Sequence, residues 1–223
     1  ASFGEAISLA MFMLGRGNMR TAICCTGSHY GAVERQFRYP LELGTQPTPA
    51  SQYTVTGAGS VLLSLEGKQG MPKLTHCTIG KIVDYDICDP NNMGAAMAPA
   101  AADTILTHLK DTGRGEDYYD YIFTGDLGKF GRETVYYLCK KEGYDLSGCL
   151  NDCGSLIYTD KQKDVQGGSG AGCSSVVFAS YIYKEMCEGN MKRVLLVPTG
   201  ALLSKDSSLQ GESIPGIAHA VAF

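Results

Sequence analysis

The stretch Gln166-Gly167-Gly168-Ser169-Gly170-Ala171-Gly172-Cys173-Ser174 is built to bring backbone close to something. Glycine permits that approach because it has no Cβ. Small residues then open a helix, whose first N–H groups and dipole favour an anion. The competing reading is a tight turn packed between layers. No Gly-Lys-Ser/Thr follows, so this is not a nucleotide-binding P-loop. A second candidate is Thr124-Gly125-Asp126-Leu127-Gly128, at the end of an apolar run. Strand ends in α/β sheets face ligand crevices. There Asp126 is a base, a polar anchor, or the cap of the helix that follows. The third is the segment from Ser28 to Pro40, with His29, Arg35 and Arg38 among Tyr30, Phe37 and Tyr39. Arginine forks match carboxylates and aromatic faces suit a planar ring. Alternatively, its charges pair with one another. The candidate ligand-binding set is therefore His29, Arg35, Arg38, Asp126, Gly168, Ser169 and Cys173.

Other signals carry less. Asp84-Tyr85-Asp86-Ile87-Cys88-Asp89 lacks the glycine and closing glutamate of a calcium loop. Cys149 and Cys153 are four apart and no Cys-x-x-Cys occurs, so neither a zinc site nor another metal or cofactor is expected. His219, in an apolar run, reads as a core histidine.

Apolar spacing predicts the elements that position these residues. Residues 2–15 read as a helix ended by Gly15 and Gly17, and 20–26 as a strand. Residues 28–52 read as a long polar loop, 53–65 and 73–84 as strands, and 89–108 as a helix opened by Asp89-Pro90. Then come a strand (119–124), a helix (130–142), a short strand (156–158), a helix (172–187) and strands at 192–198 and 214–223. Alternating elements with all-apolar strands indicate a layered α/β fold.

The chain has 223 residues, 44% hydrophobic and 19% charged, with net charge −4. That describes an ordinary globular core, and basic residues scattered along the sequence do not suggest a nucleic-acid partner. No apolar run approaches the ~18 residues of a membrane span. The nine cysteines, an odd number without secreted-module spacing, read as reduced thiols.

One stretch occurs twice. Gly17-Asn18-Met19, followed by Ala22-Ile23-Cys24-Cys25 and Thr26-Gly27, returns as Gly189-Asn190-Met191, followed by Val194-Leu195-Leu196-Val197 and Thr199-Gly200. Downstream, the run Thr56-Gly57-Ala58-Gly59 lies over Pro215-Gly216-Ile217-Ala218. Two alike halves are expected, 1–72 the C-terminal part of the first and 73–223 the second. Met19 maps onto Met191, so residue 1 maps near Cys173, and about 100 residues of the second copy have no counterpart in the first. The chain thus reads as the C-terminal piece of a protein of roughly 320 residues.

Duplicated α/β halves with helix–Gly–strand units resemble the thiolase superfamily of condensing enzymes. Longer phrases are similar to one of its families, stage V sporulation protein AD of endospore-forming bacteria. They include Glu34-Arg35-Gln36-Phe37-Arg38-Tyr39-Pro40, the run from Met93 to Asp103, Ile122 to Leu127, Asp152-Cys153-Gly154, Gly167 to Gly170, Thr199 to Ser204, and Ile214-Pro215 with Ala218-His219. The resemblance implies a five-layered αβαβα thiolase-like fold whose first half is incomplete in this chain. It implies binding of pyridine-2,6-dicarboxylic acid (dipicolinic acid), as the acid or its calcium chelate, for uptake in sporulation and release in germination. It places the protein peripherally at the spore inner membrane, beside membrane proteins of the same operon, and allows a homodimer.

Departures from the superfamily matter. Condensing enzymes use a cysteine that would immediately precede Ala1. Their catalytic histidine falls where this chain has Gly125-Asp126, and their asparagine or histidine falls within 168–173. A cysteine without such partners loses most of its power, so the resemblance implies a non-catalytic protein. The alternative is an active acyltransferase or 3-oxoacyl synthase with an unusual base, Asp126 or His29.

Overall fold

The computed structural model describes residues 1–17, 19–37, 47–159, 161–162 and 166–223. The chain runs α1 (Ser2–Gly15), β1 (Thr21–Ser28), α2 (Tyr30–Phe37), β2 (Tyr53–Thr54), β3 (Gly57–Ser64), β4 (His76–Ile79), α3 (Met93–Thr112), β5 (Tyr121–Thr124) and α4 (Gly128–Lys141). It continues with β6 (Leu150–Asp152), α5 (Cys153–Ile157), β7 (Gly168–Ser169), α6 (Cys173–Val177), a π-helical turn (Phe178–Ile182) and α7 (Tyr183–Cys187), the last three forming one continuous rod. It closes with β8 (Val194–Val197), β9 (Thr199–Ala201), α8 (Lys205–Leu209) and β10 (Gly216–Ala222).

The main sheet has the order β4-β10-β8-β5-β6, and β9 adds to β10. Strands β5, β6 and β8 are parallel, and β10 runs antiparallel to β8 and β4. Its strands are apolar throughout because both faces are covered. Ile122, Leu195 and Ala220 face a core with α3 and α4, including Met97, Ile105 and Val135. Their neighbours Phe123, Leu196 and Val221 face a second core with Phe3 and Ile7 of α1 and Phe178 and Ile182 of the 173–187 rod. That second core also takes Cys24 of β1, and Val61 of β3 packs against it. So α1 and the rod lie between the main sheet and an antiparallel β1–β3 pair. The layers run α, β, α, β.

The repeat is visible in the backbone. β1 and β3 pair antiparallel, as do β8 and β10. Ile23 stands opposite Leu62, and Leu196 opposite Val221, so the registers agree to within one residue once the copies are overlaid. The expected division between 72 and 73 lies in the connection from β3 to β4.

Several expectations are corrected. The polar segment 28–52 is not all loop, since it ends β1 and holds α2. The run 53–65 is broken into β2 and β3 because Tyr53 and Thr54 leave β1 to pair in parallel with Gly168 and Ser169. The 73–84 strand is confined to β4 and a single bridge, Val83 to Gly216. Residues 156–158 are not a strand. Leu156 and Ile157 belong to α5, which Asp152 nucleates by accepting the Ser155 N–H at 2.9 Å. Among the described residues, no helix is long and apolar enough to cross a membrane.

Candidate functional site

Two repeat-related helix starts meet at the C-terminal end of β8. One belongs to α1, whose Ala1 nitrogen donates to the Thr199 carbonyl. The other opens the 173–187 rod. Between them stands Asp126. Its Oδ1 accepts the Thr199 hydroxyl at 2.7 Å and its Oδ2 accepts the Gly170 N–H at 2.9 Å. Its carbonyl accepts from the Gln52 side chain. Asp126 is therefore an anchor, tying β5, β9 and the glycine turn together.

Asp126 does not cap α4. Asp152 does, from the end of β6, taking the N–H groups of Leu127 and Gly128 at 2.9 Å each. It also accepts from the Thr124 hydroxyl at 2.7 Å and from the Ser155 N–H. Fully buried, Asp152 has its carboxyl pushed up to about 6 by desolvation, while these donors pull it back.

The glycine turn is largely engaged within the protein. Gly168 and Ser169 form β7 against β2, and the Ser169 carbonyl accepts the Val55 N–H at 2.9 Å. The Gly172 N–H goes to Ser28 Oγ at 3.1 Å, and Ser28 in turn donates to the Val55 carbonyl at 2.6 Å. Gly170 is held at φ +103°, a conformation other residues rarely adopt. A Cβ on Gly172 would sit 2.5 Å from the Gly57 carbonyl. The expectation of a close backbone approach holds, and the group approached is β3 together with Ser28.

Cys173 is buried and its Sγ lies 3.6 Å from the Gly125 carbonyl. Burial and then the nearby Asp126 carboxylate push its thiol well above the ordinary range. Cys153 behaves alike, with Asp152 beside it. Neither is a ready nucleophile.

His29 is exposed on the turn between β1 and α2. Arg35 lies on α2, where the backbone alone is described, and Arg38 lies outside the described residues. The structure thus brings Asp126, Gly168, Ser169 and Cys173 together, with Ser28 next to His29 closing the same cluster. Beside it runs an aromatic rail: Tyr30 to Tyr53 at 6.1 Å and Tyr53 to Tyr158 at 6.4 Å between ring centroids. Sequence reading placed Ser28 in a candidate segment without giving it a role, and missed Gln52, Tyr53, Tyr158 and Thr199. Thr199 had a signal, since Thr199-Gly200 repeats Thr26-Gly27 at the end of the equivalent strand. Among the described residues, no three His, Cys, Asp or Glu side chains form a group able to hold a metal ion.

This layering and these paired helix starts define a thiolase-like, condensing-enzyme fold. Solved structures share it at low identity: OleA from Xanthomonas campestris (TM-score 0.59, 15% identical), covering 99% of this chain and 60% of that one; AbyA1, a tetronic acid condensing enzyme (0.57, 14%), covering 98% and 65%; and 3-oxoacyl-(acyl carrier protein) synthase III, FabH, from Pseudomonas aeruginosa (0.56, 9%), covering 99% and 64%. The profile of the Stage V sporulation protein AD (SpoVAD) family matches residues 1–223. Stage V sporulation protein AD of Bacillus subtilis is 46% identical over 219 residues, covering 98% of this chain. The chain belongs to the stage V sporulation protein AD family. It spans 64% of the length of that relative.

Proposed function

We propose that this chain is part of a sporulation protein that keeps the condensing-enzyme fold as a binding scaffold and has lost its chemistry. One observation carries the loss: the ionisable groups gathered at the helix starts are all committed. Asp126 has both oxygens occupied, by Thr199 and Gly170. Asp152 serves as a helix cap. The Cys173 and Cys153 thiols are held protonated. Acyl transfer needs a base poised to give and take a proton; the buried imidazole of His219, in the field of the Ala1 nitrogen, already takes the Gly80 N–H on its Nδ1 at 3.2 Å. The runner-up, an active acyltransferase using Asp126 or His29, requires Asp126 to abandon two hydrogen bonds or His29 to leave an exposed turn.

The ligand we propose is dipicolinic acid, free or as its calcium chelate, taken up during sporulation and released in germination. Family resemblance supplies this identity. The tyrosine rail supports it, because a planar ring stacks on aromatic faces. The carboxylates would be met by donors outside the committed turn, with Arg35 and Arg38 the first candidates. On this reading the protein works at the spore inner membrane with membrane partners of its operon, and a homodimer is compatible with it. Two assays on the full-length protein test the proposal. Acyl-CoA turnover should not exceed that of a cysteine-blocked control, and turnover well above it would restore the enzyme reading. Calorimetric binding of dipicolinic acid should weaken tenfold to hundredfold in Arg35→Ala or Arg38→Ala, equivalent to ~1.5–3 kcal/mol.

A further inference from the structure

A second polar cluster lies at the other pole of the main sheet. Asp126 and Thr199 mark the C-terminal end of β8, whereas Arg193 directly precedes its first residue, Val194. At that N-terminal end a cavity of about 390 Å³ opens, lined in part by Met71, Lys73, Arg114, Tyr118, Lys192 and Arg193. The chain carries a net charge of −4, yet four cations border this one opening. One carboxylate stands among them: Asp120 pairs with Arg193 at 3.3 Å and accepts the N–H groups of Lys192 and Arg193 at 3.0 Å each. Among the described residues, no carboxylate pairs with Lys73, Arg114 or Lys192.

Arg114 is also fixed in place. Its guanidinium donates to the Tyr119 hydroxyl and lies 3.0 Å from His76 Nδ1. The Tyr119 hydroxyl is itself held by His108 Nε2 at 2.6 Å, and His108 Nδ1 by Thr78 at 2.8 Å. The Tyr119 hydroxyl and the His108 imidazole behind it carry no negative charge, so they orient the guanidinium without cancelling its charge. The Tyr118 ring carries two guanidinium groups, Arg114 at 4.4 Å and Arg193 at 5.0 Å from its centroid. Two stacked arginines, one locked by a buried relay, form a preorganised anion receptor, with Lys73 and Lys192 adding mobile point charges.

We propose that this pocket binds a phosphate group, the dianionic end of a soluble phosphorylated molecule or of a lipid headgroup. One guanidinium fork already satisfies a single carboxylate. Cations arriving from three chain segments, around 73, 114 and 192–193, suit a tetrahedral anion whose oxygens point several ways. This site is independent of the glycine turn and of any dipicolinic acid bound near it.

The experiment titrates full-length protein at low ionic strength with inorganic pyrophosphate, and separately floats it with phosphatidylcholine vesicles with and without phosphatidic acid. Lys73→Gln/Lys192→Gln is compared because both side chains are exposed, so the variant should melt like the parent; Arg114→Gln is the second variant. Saturable pyrophosphate binding that weakens about tenfold or more in both variants supports a soluble phosphorylated ligand. Flotation that requires phosphatidic acid and fails in both variants supports a lipid headgroup. Absence of both, or binding that the variants leave unchanged, overturns the proposal. So does dipicolinic acid binding that these variants abolish while pyrophosphate binding persists, which would make the pocket a carboxylate site.

Discussion

The β1–β3 pair and the β8–β10 pair come from the same repeat and have nearly the same register, yet they live in different surroundings. β10 and β8 are flanked by β4 and β5 and covered on both faces, so Leu195, Leu196 and Val221 are fully buried. Among the described residues, β1 and β3 have only each other, and Ile23 and Leu62 are 74% and 66% exposed. The repeat maps Ile23 onto Leu195. The two strands therefore present the same residue class at the same place, one to a core and one to water. α1 shows the same contrast. Phe12 and Met13, each about half exposed, map onto Lys184 and Glu185 of α7. A helix meant to face solvent takes charges there, as α7 does. Backbone pairing is thus encoded within each copy, whereas burial depends on what packs beside it. Among the described residues, the first copy leaves Leu9, Phe12, Ile23, Leu62 and Leu65 each more than half exposed, and apolar side chains gathered in this way are the kind that partners cover.

The largest test of this contrast is the polypeptide 1–223 by itself. With those side chains and two strand edges open, it should associate or melt without a sharp transition. A reversible two-state melt of a monomer, by calorimetry and sedimentation, would break the comparison. Next, Leu195→Ala should cost about 2–5 kcal/mol in the full-length protein, the usual penalty for emptying a core position. Ile23→Ala in the 1–223 polypeptide should leave its melt where the parent's lies, because that side chain is open to water there. If Ile23→Ala lowers that melt as far as Leu195→Ala lowers the full-length protein's, the contrast is wrong.

A smaller effect is electrostatic and belongs to the second copy. His108 is pushed down from 6.5 to about 4 by burial and by Arg114 and His76 nearby. The unfolded chain then binds the extra proton first, so this stability is present above about 6.5 and lost as pH falls towards 4. Asp152 has the opposite sign. Its carboxyl is raised from 3.8 to about 6, so its contribution is full below 3.8 and lost as pH rises through 6. Melting temperature followed from pH 7 to 4 should therefore fall less in His108→Gln than in the parent, and more in Asp152→Asn. Parallel curves for all three would contradict both assignments.

Much of this was readable from residues alone. The 2–15 helix matches α1 because Phe3, Ile7, Ala10 and Leu14 repeat at helical spacing and pack as one face. The repeat and the all-apolar β8 announced the sheet. What escaped was non-local. β2 and β7 are two residues each, too short for any period, and exist only because they pair across the chain. Asp126 looked like a local cap, yet its hydroxyl partner Thr199 is 73 residues away and the capping carboxylate comes from Asp152. The cations at 73, 114, 192 and 193 look scattered along the sequence, and only the fold gathers them at one cavity.

The central claim is that dipicolinic acid binds against the tyrosine rail beside the committed turn, which shapes the pocket without supplying its donors. Calorimetric titration of dipicolinic acid into the full-length protein, parent beside Ser169→Val, tests it most directly. Ser169 is buried in β7 next to Gly170, so a valine there crowds the turn while leaving distant surfaces untouched. The account predicts saturable binding by the parent and at least a tenfold loss, about 1.4 kcal/mol, in a variant that still melts cooperatively. A folded variant that binds like the parent would move the site elsewhere, and a parent that gives no binding would contradict the account.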